Sequence, residues 1–389
     1  MLMINPISIT AISSISALGD NHQDIWEEYK HASHKLSFKK FENTSVFAGA
    51  ISKDIEFKIS QLKTANKHYK DIDKSVLMAI ITARSAFKKS GWNTNDFGIN
   101  IGSSRGATSL FEQYHQQYLE SKQTDTLASP TTTLGNISTW VANDLQSKGP
   151  TISHSITCST ALHAILNGVA WINAGMSTQF LAGGSEAPLT PFTIAQMQAL
   201  KIYSNAKANE NYPCKTLDFS KKKNTMVLGE GACIAALEKG QSKNALAIIT
   251  GIGYATEVLE HNISISNNAD CFQVSMKMAL SETNPDEIDA IVMHAPGTMK
   301  GDSSEYKAIQ KVFGKNVPAL TSNKWKIGHT FGASGALNLE LAILMIQNQT
   351  FIHIPFITPQ KAPSQFNKIL VNAVGFGGNA VSILLTKPN

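Results

Sequence analysis

Residues 152–187 read ISHSITCSTALHAILNGVAWINAGMSTQFLAGGSEA: a short β-branched run, a cysteine, an apolar helix, then a second buried run. From 159 to 174 the apolar side chains Leu162, Ile165, Leu166, Val169, Trp171 and Ile172 wrap most of the way round a helix with few charges, so neighbours must cover it on nearly every side. It reads as a central helix. Cys158 falls where the first run stops and the helix begins, where unpaired N–H groups and the positive dipole end favour a thiolate. A lone cysteine is more often a small buried hydrophobe than a nucleophile. What decides between the two lies elsewhere in the chain.

The 389 residues are 42% hydrophobic and 16% charged, enough for a large core in two domains or one duplicated one. A formal charge of +5 is too mild and too dispersed to indicate nucleic acid. Cys158, Cys214, Cys233 and Cys271 lie far apart with no C-x-x-C pair, so neither a disulfide framework nor a metal site is indicated. The first residues have no basic segment or cleavage site, and no apolar run reaches the roughly 18–20 residues of a membrane span. A cytoplasmic location is expected.

In chain order, residues 4–18 read as a strand and turn, 21–32 as a short helix and 45–51 as a strand. Lys63, Lys67, Lys70 and Lys74 are spaced as either a solvated face or a docking site for an acidic partner. A strand at 97–101 enters GSSRGA, a tight loop beside Arg105 that matches neither nucleotide-binding glycine pattern. A helix over about 108–121 is followed by a second one, capped by Ser129 or Thr131 and ending near Gly149. The second half repeats the grammar: strand 245–252, helix 271–281, strand 290–294, helix 303–313, then a glycine-rich loop feeding an apolar helix at 332–347. Matching order in both halves suggests an internal duplication with layered α/β architecture, divided at 1–240 and 241–389.

Three further motifs bear on Cys158. HAPGTMKGD begins with His294 at a strand end, SNKWKIGHTFGASG carries Lys324 and His329, and GFGGN (375–379) lies between two strands. Singly, each histidine is more often structural. Together with ITCSTA, LAGGSEA and KTLDFSKKKNTMVLGEGA, which precede them in the chain, they resemble, in order and over nearly its whole length, the elongating β-ketoacyl-acyl carrier protein synthases of the thiolase superfamily, including the ketosynthases of type II polyketide systems.

The resemblance implies a thiolase-like fold, two duplicated α/β halves in five layers, with the cysteine strand at a dimer interface. It implies decarboxylative Claisen condensation of malonyl carrier protein with an acyl group on Cys158. His294 and His329 would hold the enolate oxygen, Lys324 would give electrostatic support, and the N–H groups of Cys158 and Phe376 would form the oxyanion hole. Thr298, Gly377 and Gly378 would contact substrate, with no cofactor beyond the carrier's phosphopantetheine arm. Arg105 stands where the family places a small or aliphatic residue beside the acyl pocket, so it either meets a polar feature of the acyl chain or turns to a protein acceptor. Lys63, Lys67, Lys70 and Lys201 match the family's basic carrier-docking positions.

Two departures stand out. Ala295 and Pro296 replace the first Gly-Thr of the family's His-Gly-Thr-x-Thr loop, removing one hydroxyl for the pantetheine arm. Asn338 stands where a glutamate commonly partners the lysine, and Glu340 is out of helical phase to replace it. A thiolase would need a second cysteine near the C-terminus, and a cysteine hydrolase would leave His294 or His329, Lys324 and the GFGG turn unexplained. A non-catalytic chain-length factor would lack Cys158. The expected reading is a specialised type II polyketide or aryl-polyene-like ketosynthase, the alternative a housekeeping fatty acid synthase; the partner is a second copy or a chain-length factor.

Overall fold

The structure, a computed structural model, describes residues 5–134, 136–258 and 265–389. Two five-stranded sheets carry it. The first takes β1 (Ile7–Ile15), β4 (Gly98–Gly102), β5 (Thr151–Ile152), β6 (Gln179–Glu186) and β7 (Gly231–Lys239); a hairpin, β2 (Ser37–Phe41) with β3 (Thr44–Ala48), stands apart. The second takes β8 (Ala247–Thr256), β9 (Ala290–Val292), β10 (Ala319–Thr321), β11 (Lys368–Gly375) and β12 (Asn379–Thr386).

The duplication expected from the sequence is visible in the pairing. The first sheet runs β1-β7-β6-β4-β5 and the second, read from its far edge, β8-β12-β11-β9-β10. Taken in chain order within each half, both are first-fifth-fourth-second-third strand. Their senses agree as well: the two pairs at the first-strand side are antiparallel and the two at the other side parallel.

Helices α7 (Thr160–Asn173) and α12 (Ser334–Asn348) occupy equivalent places in the two halves and pack against each other between the sheets. Every residue of α12 from Ser334 to Ile346 is buried, as an all-round apolar helix requires. α3 (Lys74–Ser90) and α6 (Asn136–Leu145) cover the outer face of the first sheet, while α9 (Asp270–Leu280) and α10 (Met299–Phe313) cover that of the second. The layers are therefore α-β-α-β-α. The remaining helices are α1 (His22–Lys30), α2 (Lys53–Ala65), α4 (Thr108–Ser121), α5 (Ala128–Thr132), α8 (Pro191–Ala199) and α11 (Lys324–Ile327). No helix among the described residues is long and apolar enough to cross a membrane.

The single helix expected between Ser129 and Gly149 is instead the pair α5 and α6, and Ser129 and Thr131 lie inside α5 rather than capping it. Pro130 explains the shift, since proline is tolerated in a first turn but not deep in a helix. The Thr131 hydroxyl donates back to the Leu127 carbonyl at 2.6 Å.

Small residues let the layers touch. A Cβ on Gly184 of β6 would lie 2.6 Å from the Gly332 carbonyl oxygen and 3.1 Å from the Ala161 Cβ, at the junction of β6, α7 and the turn before α12. Gly184→Ala should therefore cost about 1–3 kcal/mol through overpacking, measured as a lowered urea midpoint at unchanged m-value.

Candidate active site

Cys158 does not follow directly on a strand. β5 ends at Ile152, and a 3₁₀ turn over Thr157–Ser159 leads into α7. The sharp bend is at Thr157, whose φ of 46° lies in the left-handed region. Its hydroxyl donates to the Phe376 carbonyl at 3.3 Å. A Cβ on Gly375 would fall 1.9 Å from that hydroxyl and 2.6 Å from the Ile156 carbonyl oxygen, so only glycine lets the end of β11 reach the cysteine turn. The approach brings the Phe376 N–H, with that of Cys158 itself, onto the sulfur. The thiolate expected from the helix terminus is nevertheless not the resting form. Burial, reinforced by the Glu186 charge, pushes the Cys158 thiol up to about 12 against the opposing pull of Lys324 and the two N–H groups.

His294 follows β9 and His329 follows α11. Their rings stand edge to face, 5.2 Å apart at 86°, and both line the same pocket as Cys158. Burial, then the Lys324 charge, holds both well below the ordinary histidine range, so both are neutral and offer a ring N–H. Lys324 is fully buried and its ammonium makes no hydrogen bond among the described residues. Desolvation lowers it to about 8, against the attraction of Glu305 as the largest opposing influence. Glu305, on α10, accepts from the backbone N–H groups of His294 and Ala295 at 2.9 and 2.8 Å, and burial raises it to about 7. The carboxylate absent at 338 is thus not missed altogether: Asn338 donates to the Met293 carbonyl at 3.1 Å, and the negative charge acting on the lysine comes from the neighbouring helix. Glu340 faces away, accepting from Ser14 at 2.8 Å and lying 3.1 Å from His22.

The pocket holds about 980 Å³ of empty space including its open mouth, and its wall is mostly apolar. Thr298 lines it while capping α10, its hydroxyl accepting from the Gly301 N–H at 3.1 Å. Pro296 lines it too, and Ala295 sits at φ 26°, a conformation that favours glycine. Phe376 stands half-exposed at the rim, whereas Gly377 and Gly378, at φ 97° and 67°, shape the turn between β11 and β12 and do not line the pocket. Arg105 does not line it either: its guanidinium donates to the Gln196 side-chain oxygen at 2.6 Å, and its buried Nε has no partner among the described residues. Lys63, Lys67 and Lys70 are exposed with no ion pair among the described residues, and Lys201 is exposed next to Leu200 of the pocket wall. Lys74 belongs elsewhere, bound to Glu56 and to Glu230 at 2.9 Å.

Three buried carboxylates escaped the reading of the sequence as site residues. Glu186 ends β6 and accepts from the Ser103 hydroxyl (2.6 Å) and from the N–H groups of Ser104 (2.7 Å), Arg105 (3.1 Å) and Gly332 (2.8 Å). Asp302 accepts from the N–H groups of Gly297 (2.9 Å) and Leu217 (3.1 Å) and pairs with Lys221 at 2.7 Å, clamping the 215–232 motif onto the His294 loop. Glu305 is the third. Their signal was a carboxylate ending an otherwise uncharged buried strand, and two acids one turn apart on the inner face of α10.

A thiol that shares a mostly apolar pocket with two neutral imidazole donors suits carbon–carbon bond formation between thioesters, and comparison with known proteins identifies that class as a family. The sequence matches Beta-ketoacyl synthase, N-terminal domain over residues 4–243 and Beta-ketoacyl synthase, C-terminal domain over 246–355. The chain belongs to the beta-ketoacyl synthase family, acyltransferases that work by Claisen condensation. It is 26% identical over 409 residues to 3-oxoacyl-[acyl-carrier-protein] synthase 2 of Coxiella burnetii (strain RSA 493 / Nine Mile phase I), covering 98% of both chains. Nodulation protein E of Rhizobium leguminosarum bv. trifolii is 27% identical over 361 residues, 88% of this chain and 86% of the relative. The ishigamide ketosynthase/chain length factor shares the fold, with a TM-score of 0.85 at 19% identity over 99% and 100% of the two chains.

The buried lysine has a measurable signature. Below pH 8 Lys324 is charged in the folded and unfolded chain alike and its full desolvation cost is present; that cost fades as pH rises from 8 to the ordinary value of 10.5. Between those limits wild type should gain on the order of 2–3 kcal/mol relative to Lys324→Met, read as a pH-dependent gap between their urea midpoints.

Proposed function

We propose that the chain extends an acyl group held on Cys158 by the two-carbon unit of a malonyl thioester, both delivered by an acyl carrier protein, with no cofactor of its own. The observation that carries this is the pair of neutral imidazoles facing the Cys158 pocket. The thiol attacks the acyl thioester, its proton passes to the departing carrier thiolate, and the acyl group stays on sulfur. Malonyl thioester then enters. As its carboxylate leaves as carbon dioxide, ring N–H groups of His294 and His329 donate to the forming enolate oxygen. The enolate carbon attacks the acyl-cysteine carbonyl, whose oxygen gathers charge between the N–H groups of Cys158 and Phe376. Collapse expels the Cys158 thiolate, which takes a proton from solvent. Lys324 stabilises negative charge without touching substrate.

For substrate, we favour a specialised ketosynthase over a housekeeping fatty acid enzyme. The Ala295-Pro296 loop supports this, because it lacks the glycine and hydroxyl of the family's usual loop, whereas the Arg105–Gln196 pair lies outside the pocket lining and does not bear on the acyl chain. The protein would work in the cytoplasm, as a homodimer or with a chain-length factor, as the name of the ishigamide relative pairs the two. Its halves would divide at 1–240 and 241–389. Lys63, Lys67, Lys70 and Lys201 would receive the acidic carrier, and their exposure without ion pairs supports that role.

Cys158→Ala should show no acyl adduct by intact mass after incubation with acyl carrier protein, while His294→Ala and His329→Ala should still acylate but release carbon dioxide from malonyl carrier protein about 100-fold more slowly or worse. An adduct on the Cys158→Ala protein would refute the assignment. Replacing Lys63, Lys67, Lys70 and Lys201 by glutamate should raise KM for carrier-bound substrates and flatten its salt dependence while sparing small pantetheine thioesters. Equal losses on both substrate types would assign the lysines to folding instead.

A further inference from the structure

The wall of the Cys158 pocket and the apolar cluster behind it share Cys158, Met226 and Phe331, with Ile202 at the margin. The rest of that cluster, Val46 of β3, Ile194 and Met197 of α8, Tyr203 and Leu228, is buried and does not line the pocket. These shared residues are the partition between a space open to the mouth and a filled interior. Cys158 is fixed by its turn. An acyl chain on its sulfur that grows away from the mouth must pass the Phe331 ring.

Phe331 has an unusual hold on that position. Its φ of 40° places a bulky residue in the left-handed region, which costs about 1–3 kcal/mol. The surroundings impose it: the Gly332 N–H donates to Glu186 at 2.8 Å, the Ala333 N–H donates to the Thr330 carbonyl at 3.0 Å, and Gly184 packs directly on the Gly332 carbonyl. With the backbone pinned, the side chain can move only by rotation about its own bonds. The ring is 4% exposed and lies 5.5 Å from the His329 ring at 67°, so rotation must also open that edge contact. Inward of the ring, Ile194 and Leu228 are fully buried and leave a longer chain no space without repacking.

We propose that Phe331 is the residue that sets acyl length: its ring closes the space inward of Cys158, so the enzyme loads and extends short acyl groups and discriminates against long ones. The proposal rests on the reading that Cys158 carries the acyl group, and adds what kind.

The test loads wild type, Phe331→Leu and Phe331→Ala with butyryl-, octanoyl- and dodecanoyl-pantetheine and follows acyl-enzyme formation by intact mass. The readout is the long-to-short rate ratio within each variant, which a general loss of folding or activity does not move. Wild type should favour butyryl over dodecanoyl by about tenfold or more, the scale on which a pocket senses a few methylenes. The ratio should rise by about tenfold toward long chains in Phe331→Ala, with Phe331→Leu between; if the alanine variant fails to fold, the leucine variant carries the test. Adducts forming at all lengths with one ratio in all three proteins would overturn this proposal and leave the acyl-cysteine reading intact. No adduct on wild type at any length would overturn both.

Discussion

The carboxylate of Glu186 is the contact on which the site depends. It lies fully buried at the end of β6 and binds backbone or hydroxyl donors from the loop after β4 and from the turn before α12. Those segments come from different halves of the chain and would otherwise present unpaired N–H groups to the interior. A single buried carboxylate joins the halves beside Cys158. Its burial raises its own proton affinity, and the donors around it oppose that rise. The cost appears at Cys158, whose thiol the Glu186 charge helps to keep protonated.

The electrostatics of the site follow from that dryness. Burial disfavours charge in and behind the pocket: the thiol stays a thiol, both imidazoles stay neutral, and behind them Lys324 falls toward 8 while Glu305 rises toward 7. A site of this kind does not hold a thiolate ready. It holds N–H donors, on two rings and two backbone amides, and donors of this kind are worth most to transient negative charge where water is excluded.

How far this was legible in the sequence depended on range. The uncharged helix after Cys158 and its counterpart before 348 announced themselves by composition, because a helix that is apolar all round can only be central. Asn21 was readable as a polar residue opening a helix, and it caps one, whereas Thr298 caps a helix expected to begin four residues later than it does. The meeting of Thr157 with Gly375 was not readable, since 218 residues separate them and nothing in either segment names the other; likewise the partner of Arg105 proved to be Gln196, a neutral side chain 91 residues away. The cysteine's protonation was misjudged for the same reason. A helix terminus is local and visible, whereas the burial that outweighs it is a property of the assembled layers.

The displaced glutamate of α12 shows how a small shift reassigns a charge. Two positions along a helix turn a side chain by about 200°, so a carboxylate at 340 cannot face what one at 338 would face. Asn338 points to the Met293 carbonyl beside the His294 loop, while Glu340 points to Ser14 of β1 and to His22 of α1. The anion thus ties the central helix to the first sheet instead of facing Lys324. The lysine's electrostatic counterweight is then Glu305, and that carboxylate also holds the backbone of His294 and Ala295. Charge on the lysine and placement of one imidazole are in this way coupled through one group, which a separate carboxylate at 338 would have kept apart. Ala295, held at a φ suited to glycine, is tolerated because Glu305 fixes its N–H and the Thr216 hydroxyl fixes its carbonyl. The loop that departs from the family pattern is therefore braced on both sides of its strained residue.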